Sequence, residues 1–277
     1  MRDALPGSIS IDNLIDAHRN DPEFAEIGKM AIAKAIISAE RGSKLYVNPN
    51  EIDNFSLAEL NGTFLITLFQ ILSEGLPRED VNSIFSNASF IVFNYDRCLE
   101  AFLPRAIEKY YGLPLNDAIK IAQSATIIHP YGRVGEFGRD RSLATAGFGS
   151  ERCNIRSIAQ GIRTFSEGLA DEGHGKQIQM LMQEADQIVF LGFAFHPLNM
   201  EILTPKGPSF ADKVFGTTLG LSEAAVRSVE AGLLQILGKR APGDFFPESE
   251  PSEILSELNL EPRTATDFLQ AHFRSIA

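Results

Sequence analysis

Cysteine is nearly missing from this chain: Cys98 and Cys153 are the only two in 277 residues. That scarcity excludes a disulfide framework and a four-cysteine zinc ribbon, and it fits a reducing compartment, so the cytoplasm is the expected location. Long apolar runs are missing too, since Phe64 to Phe69 and Ile188 to Phe195 fall well short of the ~20 residues a spanning helix needs. The opening Met1-Arg-Asp-Ala-Leu-Pro-Gly has no apolar core of a signal peptide. Positive charge is in deficit, with 25 Lys and Arg against 36 Asp and Glu and a formal charge of -11. Such a surface repels a phosphate backbone, so nucleic acid is not an expected direct partner, and neither is a membrane. The chain also has no Gly-x-Gly-x-x-Gly fingerprint, no Walker A lysine, no Gly-x-Ser-x-Gly elbow, no metal-ligand spacing and no internal repeat. These absences remove the most familiar nucleotide, serine-hydrolase and metalloenzyme signatures.

What is present is a hydrophobic content of 44%, enough for one large domain, or a domain with an appendage, around a buried core. The first ~80 residues read as helical. Ser10 caps a helix from Ile11 to His18, and Asp21-Pro22-Glu23 starts a second that runs to about Arg41. Ser56-x-x-Glu59 has the form of a capping box, predicting a third helix from Ser56 to Gly75. From Phe90 onward, short β-branched or aromatic runs alternate with helical segments, the pattern of an α/β fold with a parallel sheet. Helices are predicted from Asp96 to Tyr111 with a break at Pro104, from Leu115 to Ser124, from Gly175 to Ala185 and from Ser222 to Leu237, with a strand from Lys213 to Thr217. The expected organisation is one domain over 1–240, with 1–88 mainly helical and 89–240 the sheet core. A linker around Pro242-Gly243 to Pro251 and helices at Glu253 to Leu258 and Thr266 to Phe273 make up 241–277.

Three strands end in polar or glycine clusters: Phe90-Ile-Val-Phe before Asn94-Tyr95-Asp96, Thr126-Ile-Ile before His129-Pro-Tyr-Gly132, and Ile188-Val-Phe-Leu before Gly192-Phe-Ala-Phe-His196. That is how the carboxyl edge of a parallel sheet reads, and ligands of such sheets bind there. Asn94 and Asp96 flank Tyr95 and share a side if strand geometry persists, while Asp96 capping the next helix is an equal alternative. His129 is expected to be held outward by the Pro-Tyr-Gly turn as a proton acceptor, with a loop-bonded histidine the plainer reading. His196 is placed near the same crevice, and His18, His174 and His272 on solvated surface. Gly132, Gly135 and Gly138 with Arg133 and Arg139, or Gly147-Phe-Gly149-Ser150, offer backbone N–H groups to a phosphate; surface loops are the plainer reading.

Together the three clusters resemble the bacterial sirtuin-like proteins. Phe93-Asn94-Tyr95-Asp96-Arg97-Cys98-Leu99-Glu100 is similar to their Thr-Asn-Tyr-Asp stretch with a following Glu, His129-Pro-Tyr-Gly132 to their His-Gly segment, and Ile188 to Asn199 to their late strand and glycine turn. The resemblance implies a Rossmann-like parallel sheet flanked by helices, a sirtuin-type NAD-binding fold with a helical N-terminal region and no zinc module. It implies NAD as substrate, Asn94 and His129 as catalytic residues, and Asp96, Tyr95, Gly132, Gly192, Phe193, His196 and Asn199 as cofactor-binding residues. Zinc-free members of that group resemble NAD hydrolases of antiphage defence more than protein deacylases, and a homo-oligomer or an activating partner stays open. One departure matters: the family opens with an apolar strand and a Gly-Ala-Gly-x-Ser loop, and neither precedes Ile11. The alternatives are a start that lies upstream, or a non-catalytic nucleotide-binding or regulatory relative without the pyrophosphate loop.

Overall fold

The structure, a computed structural model, describes residues 4–8, 10–48, 55–135, 147–150, 152–169, 172–207, 209–237 and 258–277. The chain is mixed α/β with small parallel sheets, and it forms two compact units. The first comprises Met1–Asn61 and Gly75–Asp171, the second Gly62–Glu74 and Glu172–Ala277. This division differs from the expected 1–240 and 241–277, because the C-terminal segment supplies a strand to the sheet of the second unit.

The first unit opens with α1 (Ile11–Ala17) and α2 (Pro22–Gly42). Each starts where its cap demands: Ser10 Oγ accepts the Asn13 N–H at 3.2 Å and Asp21 Oδ1 the Phe24 N–H at 3.0 Å, satisfying donors the helix itself leaves free. Their apolar faces bury Ile15, Ile32, Ala33 and Ile37 together with Val134, Ile158, Ala159 and Ile162. A helix from Ser56 does not form. Ser56 Oγ instead accepts the Ala58 N–H of a 3-10 turn at Leu57–Leu60. Asn61 and Gly62, the latter at φ +77°, then redirect the chain, as an Asn-Gly pair does, and α3 (Phe64–Ser73) begins after them.

In the first unit β1 (Ser89–Ile91) leads to α4 (Cys98–Tyr111) and α5 (Leu115–Ala122), and then to β2 (Thr126–Ile128). The strands pair in parallel, Phe90 opposite Ile127. Pro104 was expected to break α4, yet the helix continues through it. An interior proline costs about 3 kcal/mol, and here full burial of Phe102, Leu103, Ala106 and Ile107 offsets it at about 1.5–3 kcal/mol for each large side chain. Short helices α6 (Ile155–Ala159) and α7 (Phe165–Leu169) complete the unit.

The second unit holds α3 and runs on through α8 (Glu172–Glu184), β3 (Gln187–Phe190), α9 (Pro197–Leu203), β4 (Lys213–Thr217), α10 (Glu223–Ile236), β5 (Leu258–Glu261) and α11 (Ala265–Ala271). Its sheet has the order β3-β4-β5, both pairs parallel. Strand β5 begins at Leu258, where a helix was expected to end. The rest of that helix and the 242–251 linker lie outside the described residues. Val214, Phe215, Leu233, Ile236, Phe268 and Leu269 form its core.

Candidate functional site

Parallel pairing of β1 with β2 brings Asn94 and His129 together. Val92 N–H continues the ladder to the Ile128 carbonyl at 2.8 Å, so both chains leave the sheet on one edge. Just beyond, His129 Nδ1 lies 3.1 Å from the Asn94 main-chain carbonyl. Strand geometry does not persist to Asp96, because β1 ends at Ile91 and Asn94-Tyr95 forms a bend. Asn94 therefore stands exposed, while Tyr95 and Asp96 are half-buried.

The His129 ring does not point outward as expected; it is 7% exposed. Its Nε2 faces Glu100 Oε1 at 2.9 Å, and Arg133 Nη1 donates to the same oxygen at 3.0 Å. Glu100 sits in the first turn of α4, and its Oε1 meets both His129, which opens the turn closed by the Gly132 N–H, and Arg133, which follows that turn. Burial pushes the Glu100 carboxyl up, but the hydrogen bond from His129, its charge, a backbone bond and Arg133 outweigh it and hold the group below the usual carboxylate range. Glu100 Oε2 is buried without a donor, which is uncommon for a charged oxygen.

The neighbouring residues have structural partners. Asp96 Oδ1 accepts the Cys98 N–H at 3.0 Å, closing a turn ahead of α4. Tyr95 packs on the α1–α2 core, and its hydroxyl lies 2.6 Å from Asp12 Oδ1 and 2.9 Å from the Arg163 carbonyl. Burial raises the Asp12 carboxyl against the lowering effect of the Tyr95 bond. Gly132, at φ +75°, bridges Ile162, and a Cβ there would stand 1.9 Å from the Gly161 carbonyl oxygen. A close backbone approach thus explains this glycine.

The Gly147–Ser150 segment proves to be a cradle that already holds an anion, the chain's own Glu40. Gly149 N–H donates to Glu40 Oε2 at 2.9 Å. The same carboxylate is gripped by Arg97, Nε to Oε1 at 3.0 Å and Nη2 to Oε2 at 2.6 Å, with the Arg97 N–H adding a third bond at 3.2 Å. Arg97 is 0% and Glu40 2% exposed. Gly138 and Arg139, the other glycine-loop candidates, lie outside the described residues.

In the second unit Gly192, Phe193, His196 and Asn199 follow β3. Gly192 takes φ +60° and donates its N–H to Thr217 Oγ1 at 2.8 Å, tying the ends of β3 and β4 together. Phe195 adopts φ 52°, an uncommon value for a bulky residue, in a ring cluster with Phe190 and Phe193. His196 Nδ1 accepts the Leu198 N–H at 3.3 Å and its carbonyl accepts the Asn199 N–H at 2.9 Å, so both residues shape the start of α9. An open cleft of about 580 Å³ lies past β4 and β5, lined by Leu219, Pro262, Arg263, Thr264, Asp267 and Gln270. His272, expected on solvated surface, instead packs on Phe215 and Phe268 and meets Glu261 Oε1 at 2.8 Å.

Sequence reasoning paired Asn94 with His129 but missed Glu100 and Arg133 as their partners. The available signal was Glu100 within the Asn94–Glu100 stretch, an acid in the first turn of a helix. Among the described residues no His, Cys, Asp and Glu group suits a metal ion, and no helix is long and apolar enough to cross a membrane. The chain matches no family model, no curated protein and no solved structure.

Proposed function

We propose that this chain is a sirtuin-like NAD hydrolase with a Rossmann-like core, cleaving the bond between nicotinamide and ribose, with antiphage defence as its setting. The observation that carries the reading is the meeting of Asn94 and His129 at the carboxyl end of a parallel strand pair. Ligands of such sheets lie at that edge. The chemistry asks for little more: the C1′–N bond breaks with its electron pair going to nicotinamide, water adds to C1′, and one proton is released. An exposed amide at Asn94 orients the ribose or the water, and His129 takes the proton. The test is incubation of purified protein with NAD. Nicotinamide and ADP-ribose in equal amounts support the reading, and no release with an intact fold contradicts it.

A second reading, a non-catalytic nucleotide-binding module, is favoured by two observations. Both nitrogens of His129 are engaged, and the Gly149 N–H is occupied by Glu40 rather than open to a phosphate. This reading predicts thermal stabilisation by NAD without turnover, about 2.7 kcal/mol at a ligand concentration 100 times Kd.

A further inference from the structure

Two acceptors crowd one imidazole. The Asn94 carbonyl and the Glu100 carboxylate both only accept, so Nδ1 bonds the first only when Nδ1 is protonated and Nε2 bonds the second only when Nε2 is. A singly protonated ring donates to one of these partners; only a ring with both protons donates to both. The two contacts differ in strength and in setting. The bond to Glu100 is the shorter, 2.9 against 3.1 Å, and it is charge-assisted. Its helix is also pinned, because Arg97 is locked to Glu40 three residues before Glu100. The Asn94 carbonyl is neutral and belongs to an exposed bend. A ligand arriving at Asn94 therefore displaces the Nδ1 contact and leaves the Nε2 contact in place. Glu100 Oε2 meets no donor, so the carboxylate charge is answered through Oε1, by His129 and Arg133.

Resting on the NAD-hydrolase reading, the geometry points to Glu100 as a positioning residue that grips His129 by Nε2 and leaves Nδ1 as the nitrogen that takes the proton. In that step the ring enters neutral, its proton on Nε2 against Glu100. A water beside Asn94 bonds to C1′ through oxygen and passes its proton to Nδ1 as the C1′–N bond breaks toward nicotinamide. The carboxylate balances the imidazolium so formed, as the buried acid does behind a catalytic histidine.

The test uses the 277-residue chain with ¹⁵N-labelled histidine, the His129 ring signals being assigned by their loss in His129→Gln. Wild-type protein at neutral pH should show a proton on Nε2. Glu100→Gln, which keeps shape and drops charge, should shift the ring to the Nδ1-protonated tautomer. It should also lower the kcat of nicotinamide release about 10²-fold or more while KM for NAD stays nearly constant. A wild-type ring with no proton on Nε2 overturns the proposal even if the variant does not fold. Unchanged ring signals or unchanged kcat in a folded variant overturn it as well. A wild type that releases no nicotinamide defeats the hydrolase reading instead, and the ring signals still decide whether Glu100 governs the His129 proton.

Discussion

Arg97 and Glu40 show what a single buried charge demands. Removing one partner of a buried ion pair leaves the other uncompensated and costs about 3–5 kcal/mol, whereas replacing both with apolar residues of similar volume is far milder. Arg97→Met should therefore lower the urea midpoint sharply, and the double variant Glu40→Leu/Arg97→Met should recover much of that loss. An additive double variant would show that the pair is not the source of the effect. Glu100 makes a pH-dependent contribution of predictable sign. Its carboxyl is held below its ordinary value, chiefly by His129 once burial is outweighed, so its stabilisation is present above the ordinary titration range near ~4.3 and lost as pH falls through the depressed value. Melting curves of wild type and Glu100→Gln should differ at neutral pH and converge in acid; a gap that widens on acidification would reverse the sign.

Turns rather than strands set where the chemistry of this chain stands, and its glycines can be ranked by what surrounds them. Gly132→Ala combines φ +75° with a Cβ 1.9 Å from a backbone oxygen that cannot yield, and it should cost ~3 kcal/mol or more while displacing the His129 turn. Gly192→Ala has φ +60° but open space around the added carbon, so only the left-handed penalty of about 1–2 kcal/mol applies. Equal losses in denaturant melts would contradict this ranking. Helix starts were legible at Ser10, Asp21 and Ser222, where a side-chain cap is local chemistry, but not at Asn154 and His196, whose caps open the short helices α6 and α9. Strand β4 was legible from its apolar run. Strand β5, Leu-Asn-Leu-Glu, was not: its pairing with β4 is remote in sequence and its composition carries no strand signal of its own. The α3 start was missed because the Asn61-Gly62 turn overrode the box motif at Ser56. Similarly, the clustering of Asn94 and His129 at strand ends was legible from the polar residues behind each apolar run, while the Glu40–Arg97 and Glu100–Arg133 pairings, 57 and 33 residues apart, depend on how helices and loops approach.

At the scale of the whole molecule, each of the two units carries a parallel sheet with polar turns at its carboxyl ends, and Asn94 and His129 belong to the first. A net charge of -11 disfavours polyanions, and under the proposed NAD-hydrolase reading the ligand of such an edge is a small nucleotide. On the proposed reading, binding and turnover can be measured separately. If Asn94 and His129 serve chemistry, His129→Gln should lower turnover about 10²–10⁴-fold while NAD still raises the melting temperature; if they serve the fold alone, stability falls and no turnover exists to lose. The most direct measurement is nicotinamide release from NAD by the purified chain beside its His129→Gln variant. Stoichiometric release by wild type, reduced about 10²–10⁴-fold in a folded variant, is the expected result; release that survives the substitution unchanged, or a folded wild type that binds NAD and never cleaves it, contradicts it.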